Sequence, residues 1–456
     1  MLLSACVTTQ AGLTSSGALS LPSVSIPSEW EMADQTATNF DDQLGWINAF
    51  DDTELHDLVA QAVAHNPNLK RLQARLDQAE AQSRKARSAL MPILNASLGG
   101  SRTDNFESTA SSSADLNAGL NVSWEADLWG RIGASSQASE NRANAAQEDF
   151  IAVRQVLAAS VIENYFLTIE ARRLAQVSQN NLDALNKTLG FVTVQYERGL
   201  RSGQDISLIR ADVASAKVSY NRAEGAARDA LRALNILMGS YPQTERLISA
   251  GLPDVPAFTA VGQPADILTY RPDIRAAQYR VQAAYSAHKS TKAAQKPNLS
   301  LGGVIGGNSS NLENLFDPVA MAATLFGNLT APIFDGGARK ADVMIARADI
   351  EESLATYQET VLSALSDVER QIDQSAILVQ QERELTQALS DARDALRFTQ
   401  FLYESGESDL LNVLSVQQRV SFIEGQLVST RRARLVQYIN LSLALGLPPK
   451  RTPNVR

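Results

Sequence analysis

Residues 338–405 contain neither proline nor glycine, an unbroken run of 68 residues. Alanine, glutamine, glutamate, arginine and leucine dominate it, and that composition leaves only helix open to the chain. At ~1.5 Å per residue, even one turn within the run leaves helices far longer than the globular average. Apolar residues there alternate spacings of four and three. Val361, Leu365, Val368, Ile372, Ala376 and Val379 form one seam, and Leu385, Leu389, Ala392 and Leu396 another. This is the heptad pattern of coiled-coil packing, and its alanine content predicts close approach to several neighbours. The window 132–196 reads the same way through Val153, Leu157, Val161 and Tyr165.

Between the helical windows the period drops to two. In 115–128 every even position is apolar: Leu116, Ala118, Leu120, Val122, Trp124, Ala126 and Leu128. Every odd position is polar or glycine: Asp115, Asn117, Gly119, Asn121, Ser123, Glu125 and Asp127. A strand with one greasy and one wet face follows, long enough at ~3.3 Å per residue to cross a bilayer. Weaker copies occupy 92–101, 298–307 and 324–334, which predicts two hairpins joined by loops at 102–114 and 308–323.

The chain also repeats itself. Asn66-Pro67-Asn68-Leu69 returns as Arg271-Pro272-Asp273-Ile274, and Pro92 as Pro297, both 205 residues on. Tyr196-Glu197-x-Gly199 returns as Tyr403-Glu404-x-Gly406, and Gly239 as Gly446, both 207 residues on. Two units are therefore expected, 51–249 and 250–456, each a helix, a hairpin, a very long helix, a turn and a helix. Their long helices fall at about 131–240 and 338–446. A tether or equatorial segment occupies 7–50.

Charge and composition narrow the function. A net charge of −9 and a pI near 5.1 argue against a sequence-independent grip on nucleic acid. No run of eighteen consecutive apolar residues occurs, so no membrane-spanning helix is expected, which leaves alternating barrel strands open. Three isolated histidines (His56, His65, His288) and one cysteine give no metal cluster or disulfide framework. There is no P-loop, no dinucleotide fingerprint and no nucleophile elbow, so neither an enzyme nor a bound cofactor is expected.

At the amino terminus, Leu3-Ser4-Ala5-Cys6 fits a lipobox, in which the cysteine is acylated after cleavage; a lone free cysteine is the plainer alternative. Residues 7–28 are uncharged and rich in Ser, Thr and Pro, which suits an extended tether. Only five residues precede Cys6, fewer than the 15–30 of a whole signal peptide, so 1–6 read as the remnant of a late or trimmed start.

Four membrane-length strands cannot close alone. In hydrocarbon every backbone donor and acceptor needs a partner, and the smallest single-chain bacterial barrels have about eight strands. Several copies must therefore combine their sheets. Three copies give twelve strands and an open aqueous lumen, continued by helices of ~50 residues reaching ~75 Å past the membrane.

The order and spacing of several landmarks resemble the TolC/OprM outer-membrane efflux ducts, lipoprotein branch, over nearly the whole chain. They are Ser123-Trp124-Glu125-Ala126-Asp127-Leu128-Trp129-Gly130-Arg131, Arg271-Pro272-Asp273-Ile274, Pro332-Ile333-Phe334-Asp335-Gly336-Gly337, Tyr403-x-x-Gly406 and Leu445-Gly446. The resemblance implies a mostly α fold with transmembrane β: a homotrimer with a twelve-stranded barrel, a coiled-coil α-helical barrel through the periplasm, and an equatorial belt. It implies the outer membrane of a Gram-negative bacterium as location, with a lipid anchor at Cys6. Its implied partners are a periplasmic adaptor and an inner-membrane pump of the RND type.

By the same analogy, helix tips far from the barrel close like an iris, and they are expected near 172–192 and 380–400. The charged candidates for that aperture are Asp183, Glu384, Asp391, Arg393 and Asp394. Solvated helix charges are the plainer reading of any one of them. Asp127, Gly130, Arg131, Asp335, Gly336 and Gly337 mark the strand-to-helix junctions, where a turn or N-cap role is expected of the aspartates. Trp124 and Trp129 suit an interfacial belt or interhelical packing. The rival function is a soluble periplasmic coiled-coil scaffold or adaptor, which explains the heptads and not the alternation.

Overall fold

The computed structural model describes residues 26–27, 29–31, 45–104, 113–244, 251–256 and 262–447. Cys6, and the expected tether as far as residue 25, lie outside the described residues. The first unit runs α1 (Thr53–His65), α2 (Pro67–Ser88), β1 (Ile93–Thr103), β2 (Ser113–Ala126), α3 (Arg131–Glu197) and α4 (Gly203–Leu237). The second runs α5 (Ile267–Tyr270), α6 (Pro272–Ala293), β3 (Asn298–Ser309), β4 (Met321–Thr330), α7 (Ala338–Glu404) and α8 (Leu410–Ala444). Counterparts match residue for residue: α2 and α6 have 22 each, α3 and α7 have 67, α4 and α8 have 35.

Several boundaries depart from the sequence expectation, β2 ending at Ala126 rather than 128 and β4 starting at Met321 rather than 324 among them. The turns ending the long helices fall at 198–202 and 405–409, beyond the expected 172–192 and 380–400. Reversal there uses Gly199 (φ 73°) and Gly406 (φ 82°), a left-handed conformation that side chains with a Cβ resist. Nothing in 380–400 offers such a break, and Gly190 stays helical. β4 stops at Thr330 rather than near 334, because Pro332 has no N–H for the ladder.

α3 packs against α2 and α4 on one side and α6 and α8 on the other, while α7 packs against α6 and α8. Buried positions on α7 (Tyr357, Val361, Ala364, Val368) keep the four-three spacing, but Leu378 is buried where Val379 was expected. One stretch of α3 is long and apolar enough by composition to pass for a membrane helix. Its apolarity has another cause: Leu157, Val161, Ile162, Tyr165, Phe166 and Ile169 sit in a core with Trp46, Phe50, Leu55 and Leu58 from the N-terminal segment. The described residues of that segment pack against the helices at mid-length. Trp46 donates to the Leu447 carbonyl (3.2 Å), and Trp30, buried beside Val281 and Val361, donates to that of Gly262 (3.1 Å).

At the same level the shorter helices meet end to end. Asn66 Oδ1 accepts from the backbone N–H groups of Asn68 and Leu69 (2.9 and 3.1 Å), capping α2, while its Nδ2 donates to the Leu237 carbonyl at the end of α4 (2.8 Å). In the second unit Arg271 donates to the Ala444 carbonyl that ends α8 (3.0 Å) and pairs with Asp273 (2.7 Å). One side chain thus serves two helix termini, and Asn66→Ala is expected to cost about 2 kcal/mol. Thermal unfolding followed by far-UV circular dichroism checks this; a loss under about 0.5 kcal/mol would show water doing the same job.

Candidate functional site

Register assigns every strand residue to a face. The four strands form one antiparallel meander in the order β1-β2-β3-β4. Leu94, Leu120, Ile305 and Ala323 lie on one face through the pairs Leu94↔Val122, Leu120↔Ile305 and Ile305↔Ala323. Side chains alternate, so Leu98, Trp124, Leu301, Leu325 and Leu329 join them. The opposite face carries Asn95, Ser97, Asn117, Asn121, Ser123, Ser300, Thr324 and Asn328, and Asn121 there donates to the Ser97 hydroxyl (2.9 Å). Phe326 is the aromatic exception on the wet face, its ring lying over Gly302.

This sheet is incomplete as it stands. Leu325 is 89% exposed with Leu329 exposed on the same strand, and Leu94 and Leu98 are exposed on β1 at the opposite edge of the same face. A contiguous apolar face of this kind marks a membrane or partner contact. Among the described residues β1 and β4 each pair on one side only, leaving ladder groups free at both edges. The helix layer has the same two open sides, with α2 and α4 at one and α7 at the other.

At the strand-to-helix junctions the aspartates act as caps from a distance. Asp127 accepts from the N–H groups of Ile132 (3.0 Å) and Gly133 (2.7 Å) across Gly130, whose φ of 71° turns the chain into α3. Asp335 accepts from Gly337 (3.0 Å) and Arg339 (3.2 Å), and these backbone donors hold its carboxyl below the usual carboxylate range. Gly336 and Gly337 both take positive φ, 65° and 94°. Arg131 turns back to Glu125 (2.7 Å). Both tryptophans tie junctions together: Trp124 donates to Leu90 O (2.9 Å) and Trp129 to Pro297 O (2.7 Å), with their rings partly exposed.

At the other end the two hairpin tips touch. The Arg201 guanidinium lies 4.3 Å from the centroid of the Tyr403 ring and also donates to the Tyr403 carbonyl (3.4 Å). Phe191 meets the same ring edge-on at 5.9 Å. Around them Leu185, Val192, Ile206, Ile209, Leu410 and Val413 form a local core. The Tyr403 hydroxyl is buried with no hydrogen-bond partner among the described residues, and burial raises its pKa. Sequence reasoning missed this pair, although the recurring Tyr-x-x-Gly was in view.

The five charges expected at an aperture stand short of these tips. Asp183 accepts from Gln179 (2.8 Å), Glu384 from Gln380 (2.6 Å) and Asp391 from Gln387 (3.1 Å), all within their own helices. Asp394 pairs with Arg397 one turn on. Arg393 alone crosses to another helix, reaching Glu424 of α8 (3.3 Å). No two of the five pair with each other among the described residues.

Known proteins share this arrangement. The family described as outer membrane efflux protein matches residues 58–240 and 264–447. The pyoverdine export outer membrane protein OpmQ of Pseudomonas aeruginosa is 28% identical over 458 residues, covering 98% of this chain and 94% of its own length. The cation efflux system protein CusC of Escherichia coli K12 is 26% identical over 431 residues, covering 93% and 94%. Among solved structures, the open state of the Neisseria gonorrhoeae MtrE outer membrane channel superposes with a TM-score of 0.83 at 26% identity, covering 94% of this chain and 99% of that one.

Proposed function

Because this chain belongs to the outer membrane efflux protein family, we propose that it is the exit duct of a tripartite efflux system, carrying substrate across the outer membrane. The observation that carries the reading is the two-faced sheet with both edges open. Three copies joined β4 to β1 make a closed twelve-stranded barrel, with the leucine face in lipid and the asparagine–serine face around water. The same three-fold joining sets α7 beside α2 and α4 of the next copy and continues the lumen as a helical tunnel. Substrate descends its gradient through this lumen, so the chain performs no chemical step; an inner-membrane pump, of the RND type, supplies the energy through a periplasmic adaptor. Acylation of Cys6 anchors the amino terminus to the same membrane. A soluble scaffold is disfavoured by the exposed leucines of β4, which water alone would leave uncovered.

Gating belongs to the tips. Asp183, Glu384, Asp391, Arg393 and Asp394 lie 10 to 20 residues before the ends of α3 and α7, which at ~1.5 Å per residue is ~15–30 Å above the turns. They line the narrowing section, while Arg201 and Tyr403 hold its end together.

Adjacent substitutions on β4 test the duct. Leu325→Arg sets a charge in lipid and is expected to cost about 2 kcal/mol, lowering the yield of detergent-resistant trimer in outer membranes. Thr324→Arg, one residue away on the wet face, is expected to leave the trimer intact and shift single-channel selectivity toward anions. Equal effects from the two would defeat the assignment of faces.

A further inference from the structure

The connection between β3 and β4 is a built turn. Asn311 N–H donates to Ser309 Oγ (3.2 Å), a single 3-10 turn spans Leu312–Asn314, and Asp317 N–H donates to the Asn314 carbonyl (3.2 Å). The Asp317 carboxylate accepts from Val319 N–H (3.0 Å), and its carbonyl accepts from Ala320 N–H (2.9 Å). Leu315 is wholly buried under this turn. Leu312, Phe316 and Val319 are instead 66, 71 and 95% exposed.

The register says which way the turn leans. Gly307 stands opposite Ala118 and Met321, so its missing side chain would point out of the leucine face. The Leu315 carbonyl oxygen occupies that space, 2.1 Å from where a Cβ would be. The turn is therefore folded over the lipid side of the barrel wall, away from the lumen mouth, and Gly307 is what lets it sit there.

We propose that this turn is an outward collar that seats Leu312, Phe316 and Val319 in the outer leaflet of the membrane. The inference rests on the duct reading, because its occupant is the same lipid that covers the leucine face, of which the collar is the upward continuation. The exposed Glu313 and Asp317 of the same turn fix its depth at the headgroup boundary, since neither carboxylate enters hydrocarbon. The collar thereby resists vertical sliding of a duct that is loaded from below.

The test uses the full chain reconstituted in vesicles of ordinary or acyl-brominated phosphatidylcholine, with Phe316→Trp and Leu325→Trp each compared with the unaltered protein. The emission added by Phe316→Trp is expected to be lost in brominated vesicles and spared by aqueous iodide. Emission that iodide quenches and bromine spares would overturn the collar. Leu325→Trp separates the two failures: quenching at 325 without quenching at 316 sinks the collar alone, and absence of quenching at both sinks the duct. Gly307→Ala, which pushes the turn off the wall, is expected to reduce the bromine quenching of Phe316→Trp when the two are combined; unchanged quenching would count against the collar.

Discussion

Arg201→Ala is expected to raise the ratio of open to closed ducts about 100-fold. The guanidinium over the Tyr403 ring is worth about 1 kcal/mol, and the proposed trimer has three such contacts. Losing about 3 kcal/mol shifts a two-state equilibrium by that factor, because each 1.4 kcal/mol is about tenfold. Single-channel recording should show long high-conductance openings, and cells carrying the variant should admit large antibiotics that the closed duct excludes. Tyr403→Ala should behave alike. Tyr403→Phe should match the unaltered protein, since it keeps the ring and removes a hydroxyl that has no partner among the described residues. If Arg201→Ala conducts as the parent does, the tip contact is packing and the gate lies elsewhere.

Gly446→Val should be among the most damaging single substitutions in the helical body. Gly446 has φ 76°, and a Cβ there would stand 2.8 Å from the backbone of both Tyr270 and Arg271. The left-handed conformation costs a β-branched residue about 1–2 kcal/mol, and the clash with main chain that cannot rotate away adds about 1–3. A loss of about 4 kcal/mol is expected. Gly239→Val meets His65 O at 2.6 Å in the other unit and should match it. Gly199→Ala also has positive φ but nothing within 4 Å, so about 1 kcal/mol is expected there. Thermal denaturation of the detergent-solubilised protein compares all three; Gly446→Val no worse than Gly199→Ala would remove the clash from the account.

The sequence made β2 plain because all of its even positions are apolar and all of its odd ones are not. β4 was fainter for a visible reason: Phe326 and Ala322 share its wet face with Thr324 and Asn328, so the alternation blurs. The unbroken α7 followed from its missing proline and glycine, but α3 and α7 run 67 residues each where about 50 were expected, because Gly133 and Gly190 stay helical inside α3 and the reversal waits for Gly199 and Gly406. The turns were misplaced because Gly199 and Gly406 served as repeat landmarks, when their conformational freedom is also the signal for reversal. The Arg201–Tyr403 contact joins residues 202 positions apart, and the local core where α3, α4, α7 and α8 meet brings them together. Asp127 was expected to cap, but its reach across Gly130 is a matter of three-dimensional geometry that no spacing rule expresses.

The joints at Asn66 and Arg271 bear on how such a wall deforms. Two of the four columns of the chain are jointed at mid-height, and the other two, α3 and α7, run through unbroken for ~100 Å. A wall of alternating hinged and continuous staves bends at one latitude only. Movement of the lower half is thereby confined to a swing about that level, with the unbroken staves flexing like leaf springs and returning the wall to rest once the load is gone.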